Sequence, residues 1–389
     1  MSASEPLPAA TLPAGVRARF VHEVNGLTVH LLEAGFEAKG RPCVLLLHGF
    51  PELAFSWRKV MLPIAQAGFH VIAPDLRGYG RTTGWHAEVD GELESFRGLS
   101  YVRDALGLVA ALGQRSVQVV GHDMGSFVAA SCALARPDVF GSVVLMSAPF
   151  PGVPELPFGT AEEAPRKRAP RPSIHDELAA LARPRKHYQW YYSTREANDN
   201  MRYCPQGVHA FLRAYYHHKS ADWKANKPFT LASWSAPELA KMPTYYIMDL
   251  DQGMAETVAE EMPSPAEIAA CKWLTEDELA VYAAEYERTG FQGGLQWYRC
   301  KTSGRFDEDL RTFAGRAIDV PSMFIAGKRD WGPYQVPGSI ERMREKACTR
   351  MLDCHMVEGA GHWVQQEQPE AVSRLLVGFL RRHRHPRRR

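Results

Sequence analysis

The chain has few cysteines and no long apolar run, and both shortages narrow what it can be. Seven cysteines are spread over 389 residues without a C-x-x-C pair. A disulfide framework or a zinc site needs paired, regularly spaced cysteines, so this odd, scattered set favours a reducing compartment. The chain has no apolar run of about 18 residues, the length of a membrane span, and its N-terminal stretch lacks the apolar core of a signal peptide. These features predict a cytoplasmic protein with no metal and no membrane partner.

The chain also lacks a large net charge. The formal net charge is +2. The strongly basic run is RRHRHPRRR at 381–389, with six arginines and no acidic residue. A smaller basic patch, RKRAPR at 166–171, is interleaved with proline and is typical of a surface loop. Because no other basic stripe accompanies the tail, we interpret it as a disordered, solvated terminus and expect no nucleic-acid partner.

Short apolar runs alternate with helical segments in the first third of the chain and again near its end. Amphipathic spacing marks FSWRKVMLPIAQAG, LSYVRDALGLVAALG and EAVSRLLVGFLRR as helices. Strands alternating with helices predict an α/β fold with a mostly parallel central sheet flanked by helices. The runs typical of strands are LTVHLLEAG, CVLLLHG, FHVIAPD, SVQVVGHD and SVVLMSAP, followed much later by PSMFIAGKRD and RMLDCHMVEGAGH.

The middle of the chain has a different composition. It is rich in proline, tryptophan and tyrosine, and it lacks runs typical of parallel strands. Its clearest helix, LTEDELAVYAAEYERTG, begins with a capping-box pattern in which Glu278 follows Thr275 by three residues. A sheet pattern interrupted by helices predicts a core that carries an inserted helical lid. The predicted parts are the core at 1–149 and 316–380, the lid at 150–315 and the tail at 381–389.

Candidate reactive residues follow three of the predicted strands. Reactive groups in an open parallel sheet collect at the carboxyl ends of its strands. Asp123 lies between Gly121 and Gly125, the small residues that a sharp strand-to-helix turn needs, and Asp330 and His362 follow later strands. Taken singly, an N-cap aspartate, a turn aspartate and a loop histidine would be ordinary. Together they have the chain order of an α/β-hydrolase triad, with an aspartate in place of the usual serine nucleophile.

The segment HGFPE at 48–52 follows a buried strand and supplies the remaining part of such a site. Backbone N–H groups at this place form half of an oxyanion hole. We assign that half to Phe50 and the other half to Met124, directly after the proposed nucleophile. His48 is interpreted as a structural histidine that bonds the loop.

These motifs together resemble the epoxide hydrolases of the α/β-hydrolase superfamily. The resemblance covers HGFPELAFSWR, APDLRGYGRT, GHDMGS, the late aspartate and GAGHW, and in the lid HYQWYY and GGLQWYRC. It implies that Tyr188 and Tyr298 hold and protonate an epoxide oxygen, with Tyr245 or Tyr246 as alternatives for the first role. Two features depart from the family: Met124 stands where tryptophan is common, and the lid is longer than usual. The residues expected to line the substrate pocket are His48, Gly49, Pro51, Trp57, Trp190 and Trp363.

An aspartate nucleophile selects a particular chemistry. A carboxylate is already ionised at neutral pH, and it suits displacement at a saturated carbon, which yields an alkyl ester. An epoxide offers such a carbon, and its leaving oxygen needs a proton, which the lid tyrosines would supply. Water activated by His362 and Asp330 would then hydrolyse the ester on Asp123 to give a vicinal diol. This scheme requires an epoxide and water, and neither a metal nor an organic cofactor.

Three other functions use parts of the same pattern. A haloalkane or haloacid dehalogenase shares the aspartate, but its halide-binding N–H donor is commonly a tryptophan where this chain has Met124. A serine esterase would have to use Ser126, which lies past the apex of the turn. A non-catalytic ligand sensor of this fold usually lacks a triad residue or the glycine equivalent to Gly49. The pattern fixes neither the substrate and its enantiomer nor the choice between a monomer and a homodimer.

Overall fold

The structure, a computed structural model, describes residues 5–154, 173–305 and 307–384. Its centre is an eight-stranded sheet. The basic patch at 166–171 and the tail residues 385–389 lie outside the described residues. In chain order the strands are β1 (Val16–Val24), β2 (Leu27–Ala34), β3 (Cys43–Leu47), β4 (His70–Pro74), β5 (Val117–His122), β6 (Phe140–Met146), β7 (Arg185–His187), β8 (Ile247–Asp249), β9 (Ser322–Gly327) and β10 (Met351–Val357).

The helices of the described residues divide between the core and the segment between β6 and β9. Those of the core are α1 (Arg58–Gln66), α2 (Gly98–Ala111), α3 (Met124–Ala135), α14 (Ser339–Arg342), α15 (Val364–Glu367) and α16 (Pro369–Arg382). Those between β6 and β9 are α4 (Ile174–Ala179), α5 (Tyr188–Tyr191), α6 (Ala197–Arg202), α7 (Gly207–Lys219), α8 (Ala236–Leu239), α9 (Met254–Ala259), α10 (Pro265–Ala270), α11 (Glu276–Thr289), α12 (Gln292–Ser303) and α13 (Asp307–Arg311).

The strand order of the large sheet is β1-β2-β4-β3-β5-β6-β9-β10. Strands β1, β2 and β4 pair antiparallel, and all later pairs are parallel. The central strands β3, β5, β6 and β9 are buried along their whole length. This is expected where helices cover both faces of a sheet, and it explains their continuous apolar runs. The predicted α/β fold with a mostly parallel sheet is confirmed, with β1 as an additional edge strand.

The described residues between β6 and β9 add no strand to the large sheet. They form helices and a two-stranded antiparallel ribbon of β7 and β8. The predicted capping box of α11 is confirmed, because the side chain of Thr275 accepts from the N–H of Glu278 and the Glu278 carboxylate accepts from the N–H of Thr275. The boundaries of the lid at 150 and 315 stay a prediction. Within the described ranges, no helix combines the length and apolarity needed to cross a bilayer.

Polar contacts fix the lid helix α11 to the core. Arg58 donates from Nε to Oε1 of Glu278 over 2.8 Å, and the hydroxyls of Ser56 and Tyr282 are 2.8 Å apart. Both core residues precede or begin α1, next to the loop that carries Phe50. Because the lid helices and this loop share contacts, side chains on the lid are held in place above the carboxyl edge of the sheet.

Candidate active site

Asp123 occupies a strained turn between β5 and α3. Its backbone has φ 53° and ψ −120°, a positive-φ conformation that residues other than glycine rarely adopt. The turn needs glycine on both sides: a Cβ on Gly121 would lie 2.0 Å from the carbonyl oxygen of Gly125, and one on Gly125 would lie 2.3 Å from that of Leu47. The Asp123 side chain makes no capping bond to α3. The N-cap interpretation is therefore wrong, and the carboxylate faces the site instead.

The three predicted triad residues meet at the carboxyl edge of the sheet. Nε2 of His362 lies 3.3 Å from Oδ2 of Asp123, and Nδ1 lies 3.1 Å from Oδ1 of Asp330. The N–H of Gly332 donates to the same Oδ1 over 2.7 Å, which orients the Asp330 carboxylate. The imidazole is thus placed between two carboxylates, and His362 and Asp330 are almost completely buried.

The electrostatics keep both carboxyl groups ionised. Burial alone would raise the pKa of Asp123, but the hydrogen bond and charge of His362, together with the charge of Lys219, hold the pKa below its usual value. Burial opposes ionisation of Asp330 in the same way, and His362 and the Gly332 N–H lower its pKa. At neutral pH Asp123 is therefore a carboxylate.

A backbone donor contacts the carboxylate of Asp123. The N–H of Phe50 donates to Oδ1 over 3.2 Å. Met124 is the first residue of α3, and the N–H groups of a helix's first turn have no partner within the helix. Gly49 allows the close approach of this loop, since a Cβ there would lie 2.4 Å from the Cβ of Asp123. Phe50 thus contacts the carboxylate and Met124 follows Asp123 directly; the oxyanion-hole role of the two residues stays a prediction.

The lid contributes two tyrosines to the same place. Tyr188 and Tyr298 line a cavity with Asp123, and their ring centres are 6.0 Å apart. Tyr188 donates its hydroxyl proton to Oε1 of Gln335 over 3.3 Å and accepts from Nε2 of Gln189 over 3.0 Å. Burial, and then the charge of Asp123, raise the pKa of each tyrosine well above its ordinary value. Both phenols therefore stay protonated at neutral pH.

The rival tyrosines are placed differently. Tyr245 donates its hydroxyl to Oδ1 of Asn226 over 2.7 Å. Tyr246 packs behind Tyr188, with ring centres 5.0 Å apart. Neither is among the described residues that line the cavity. Of the candidates for the first lid tyrosine, the structure brings Tyr188 to Asp123.

The cavity itself has a volume of about 270 Å³. None of the six residues predicted to line it is among the described lining residues, so that prediction is corrected. His48 is buried and accepts the Leu76 N–H over 3.0 Å, as its structural interpretation expected. Gly49 and Pro51 lie in the loop behind Asp123, Trp57 and Trp363 are core side chains, and Trp190 packs against His175 and His187. The lining consists of Asp123, Met124, Phe127, Ala148, Pro149, Pro151, Tyr188, Gln189, Trp297, Tyr298, Lys301, Gly332, Gln335, Val336 and Ser339.

Sequence reasoning missed a buried ion pair beneath the triad. Glu52 lies 2.5 Å from Nδ1 of His122, and Nε2 of His122 lies 2.8 Å from the carbonyl oxygen of His362. The same carboxylate accepts the N–H of Gly49 over 2.9 Å. Burial would raise the pKa of Glu52, but His122 lowers it. Burial would lower the pKa of His122, but Glu52 raises it. The pair fixes the Phe50 loop relative to His362.

A second missed residue is Lys219, at the end of α7. It is 3% exposed, and its carbonyl oxygen accepts the N–H of His362 over 3.0 Å. Burial lowers the pKa of Lys219, whereas Asp123 and Asp330 raise it. Its ammonium lies 4.9–5.8 Å from the ring centres of Tyr215, Tyr245, Tyr246 and Trp363.

Known proteins similar to this chain have the same fold and are named for one activity. A profile of the α/β-hydrolase fold matches residues 42–262. Epoxide hydrolase B of Mycobacterium tuberculosis is 30% identical over 374 residues, covering 92% of this chain and 98% of that protein. Epoxide hydrolase A of the same organism is 31% identical over 366 residues, covering 92% and 95%.

Solved structures of epoxide hydrolases are similar to this chain as well. An epoxide hydrolase from an endophytic Streptomyces has a TM-score of 0.74 at 30% identity, covering 95% of this chain and 96% of that one. Epoxide hydrolase A from Mycobacterium thermoresistibile has a TM-score of 0.70 at 31% identity, covering 94% and 98%. The resemblance inferred from the sequence is confirmed: the chain belongs to the epoxide hydrolases of the α/β-hydrolase fold family.

Proposed function

We propose that the protein hydrolyses epoxides to vicinal diols through an alkyl ester on Asp123. The observation that carries the proposal is the placement of one ionised carboxylate between two neutral phenols and a histidine. The phenols of Tyr188 and Tyr298 share the cavity with Asp123, and His362 lies 3.3 Å from it. Nucleophile, proton donors and base are therefore separate groups that meet at one point.

In the first step, a carboxylate oxygen of Asp123 attacks an epoxide carbon. The ring C–O bond breaks, and its electron pair passes to the epoxide oxygen. That oxygen takes a proton from Tyr188 or Tyr298, which leaves a tyrosinate and a hydroxyalkyl ester. A positioned proton donor typically contributes about 10²- to 10⁴-fold to such a step.

In the second step, His362 takes a proton from water, and the hydroxide adds to Cγ of Asp123. The oxyanion that forms is stabilised by the N–H groups of Phe50 and Met124, each worth about 2.7–4 kcal/mol of barrier in comparable sites. Collapse breaks the ester C–O bond, and the leaving alkoxide takes the proton from His362. The remaining proton of the water returns to the tyrosinate, so the sum is epoxide plus water to diol.

The experiment is to trap the ester. His362→Gln is mixed with styrene oxide, and intact and peptide masses are measured. We expect a gain equal to the whole mass of the epoxide on the peptide that contains Asp123, and no gain in the double variant with Asp123→Asn. A wild-type enzyme that forms no diol and releases bromide from a bromoalkane would instead support the dehalogenase. A wild type that turns over neither compound would support the ligand sensor.

Water and an epoxide are thus the partners that we propose. The cytoplasmic location, the independence from metal and cofactor, and the lack of a nucleic-acid partner stay predictions from the sequence.

A further inference from the structure

The walls of the cavity carry one charge besides the nucleophile. Among the described lining residues, Asp123 is the acid and Lys301 is the base, and all other lining residues are neutral. Lys301 follows Tyr298 by three residues on α12, so the two side chains lie on the same helix face. Tyr298 and Lys301 therefore face the same cavity.

Lys301 has no carboxylate partner within the described residues. Its ammonium instead lies 5.1 Å from the ring centre of Phe127, another cavity residue. The side chain is exposed to solvent and lines the cavity. A ligand in the cavity would therefore meet this ammonium.

Covering an ammonium with a neutral, apolar group removes its water without replacing the lost hydrogen bonds. An anionic group on the ligand would replace them, and hydrogen bonds to charged groups are stronger than neutral ones. The nearby carboxylate of Asp123 repels negative charge, so one negative charge fits the cavity better than two. The volume of about 270 Å³ lies just below the range of roughly 300–1,000 Å³ that is typical of ligand pockets, which favours a small ligand.

We propose that the cavity takes a small epoxide that bears one anionic group, a carboxylate in the simplest case, and that Lys301 binds this group. The epoxide ring lies against Asp123 and the lid tyrosines. Three residues of helix span about 4.5 Å, and the long lysine side chain adds to this distance, so several bonds separate the ring from the anion. This inference rests on the proposed function, because it assigns a substrate class to that same site.

The test compares two substrates of nearly equal shape, 4-(oxiran-2-yl)benzoate and 4-(oxiran-2-yl)benzamide. Their ratio of kcat/KM is measured in the wild type, Lys301→Met, Lys301→Arg and Lys39→Met. Lys39 is an exposed lysine outside the described cavity lining and serves as the matched control. We expect the wild type to prefer the benzoate, and Lys301→Met to lower the benzoate-to-benzamide ratio by about 10- to 100-fold, the range of a charged hydrogen bond. Lys301→Arg keeps most of the ratio, and Lys39→Met keeps all of it.

A wild type that hydrolyses both compounds without preferring the benzoate would overturn the inference, as would an unchanged ratio in Lys301→Met. If Lys301→Met does not fold, the wild-type ratio is measured against salt: we expect it to fall with ionic strength, and an invariant ratio would overturn the inference. A wild type that hydrolyses none of the three compounds, styrene oxide, the benzamide and the benzoate, would refute the proposed function itself.

Discussion

The contact between Gly78 and Gly293 offers a way to perturb the chemistry without touching a reacting group. Gly78 lies in the core loop after β4, and Gly293 lies in the first turn of α12, the helix that carries Tyr298. A Cβ on Gly293 would lie 2.0 Å from the carbonyl oxygen of Gly78 and 2.7 Å from its carbonyl carbon. These are backbone atoms, so no side-chain rotation can relieve the overlap.

Gly293→Ala therefore has to move α12 away from the core. Ordinary carbon–oxygen contacts are about 3.3 Å or longer, so the displacement is on the order of 1 Å. A misplacement of that size in a positioned group can cost about 10²-fold in rate. Because Tyr298 moves with α12, we expect kcat/KM for styrene oxide to fall about 100-fold. Overpacking of this kind typically costs a further 1–3 kcal/mol or so of stability.

The assay pairs steady-state diol formation with thermal unfolding. Gly378→Ala is the control, because Gly378 lies inside α16 and a Cβ there meets nothing within 4 Å. Replacing a helix-interior glycine by alanine stabilises by roughly 0.5–1 kcal/mol, so this control should melt slightly higher and keep its activity. Wild-type kcat/KM in Gly293→Ala would show that the position of α12 does not govern the reaction, and would refute the reasoning.

Three further predictions concern the separate steps. Tyr298→Phe removes a proton donor, and we expect kcat/KM to fall by about 10²- to 10⁴-fold; a loss below threefold would assign the proton to another group. Asp330→Asn leaves His362 without its carboxylate partner, and we expect ester hydrolysis to slow by about 10⁴-fold as in other triads. The ester should then accumulate and be visible in intact-mass spectra. Slow turnover without an accumulated ester would contradict this expectation. The pKa of Asp123 lies below its usual value and the pKa values of Tyr188 and Tyr298 lie well above theirs, so between about pH 5 and 9 the nucleophile stays ionised and the phenols stay protonated. We therefore expect single-turnover ester formation to be flat over that range, and a fall toward either end would contradict the assigned protonation states.

The sequence predicted the core of this fold because its central strands are buried on both faces. Such strands appear as continuous apolar runs, and the ends of β5 and β9 mark the edge where Asp123 and Asp330 lie. The edge strand β1 was missed, since VRARFVHEV is half exposed and carries polar residues. An edge strand needs no continuous apolar run, so its pattern is weaker.

The pocket was the least predictable part of the site. Its walls come from α3, α5, α12 and the loops after β6 and β9, and contacts between such distant segments leave no periodic signal in the sequence. Large aromatic residues near the motifs suggested a pocket, but Trp57 and Trp363 bury their area in the core instead. Glu52 and His122 are 70 residues apart, and nothing local to either motif indicates that they pair.

The central claim is that Asp123 attacks the epoxide and that water attacks only the resulting ester. One turnover of styrene oxide, with enzyme in excess in ¹⁸O-labelled water, tests it directly by locating the label. Hydroxide adds to Cγ of Asp123, and the diol keeps the carboxylate oxygen that formed the ester. We therefore expect an unlabelled diol and label in the peptide that contains Asp123. A labelled diol from that single turnover would mean that water opens the epoxide directly, and Asp123 would not be the nucleophile.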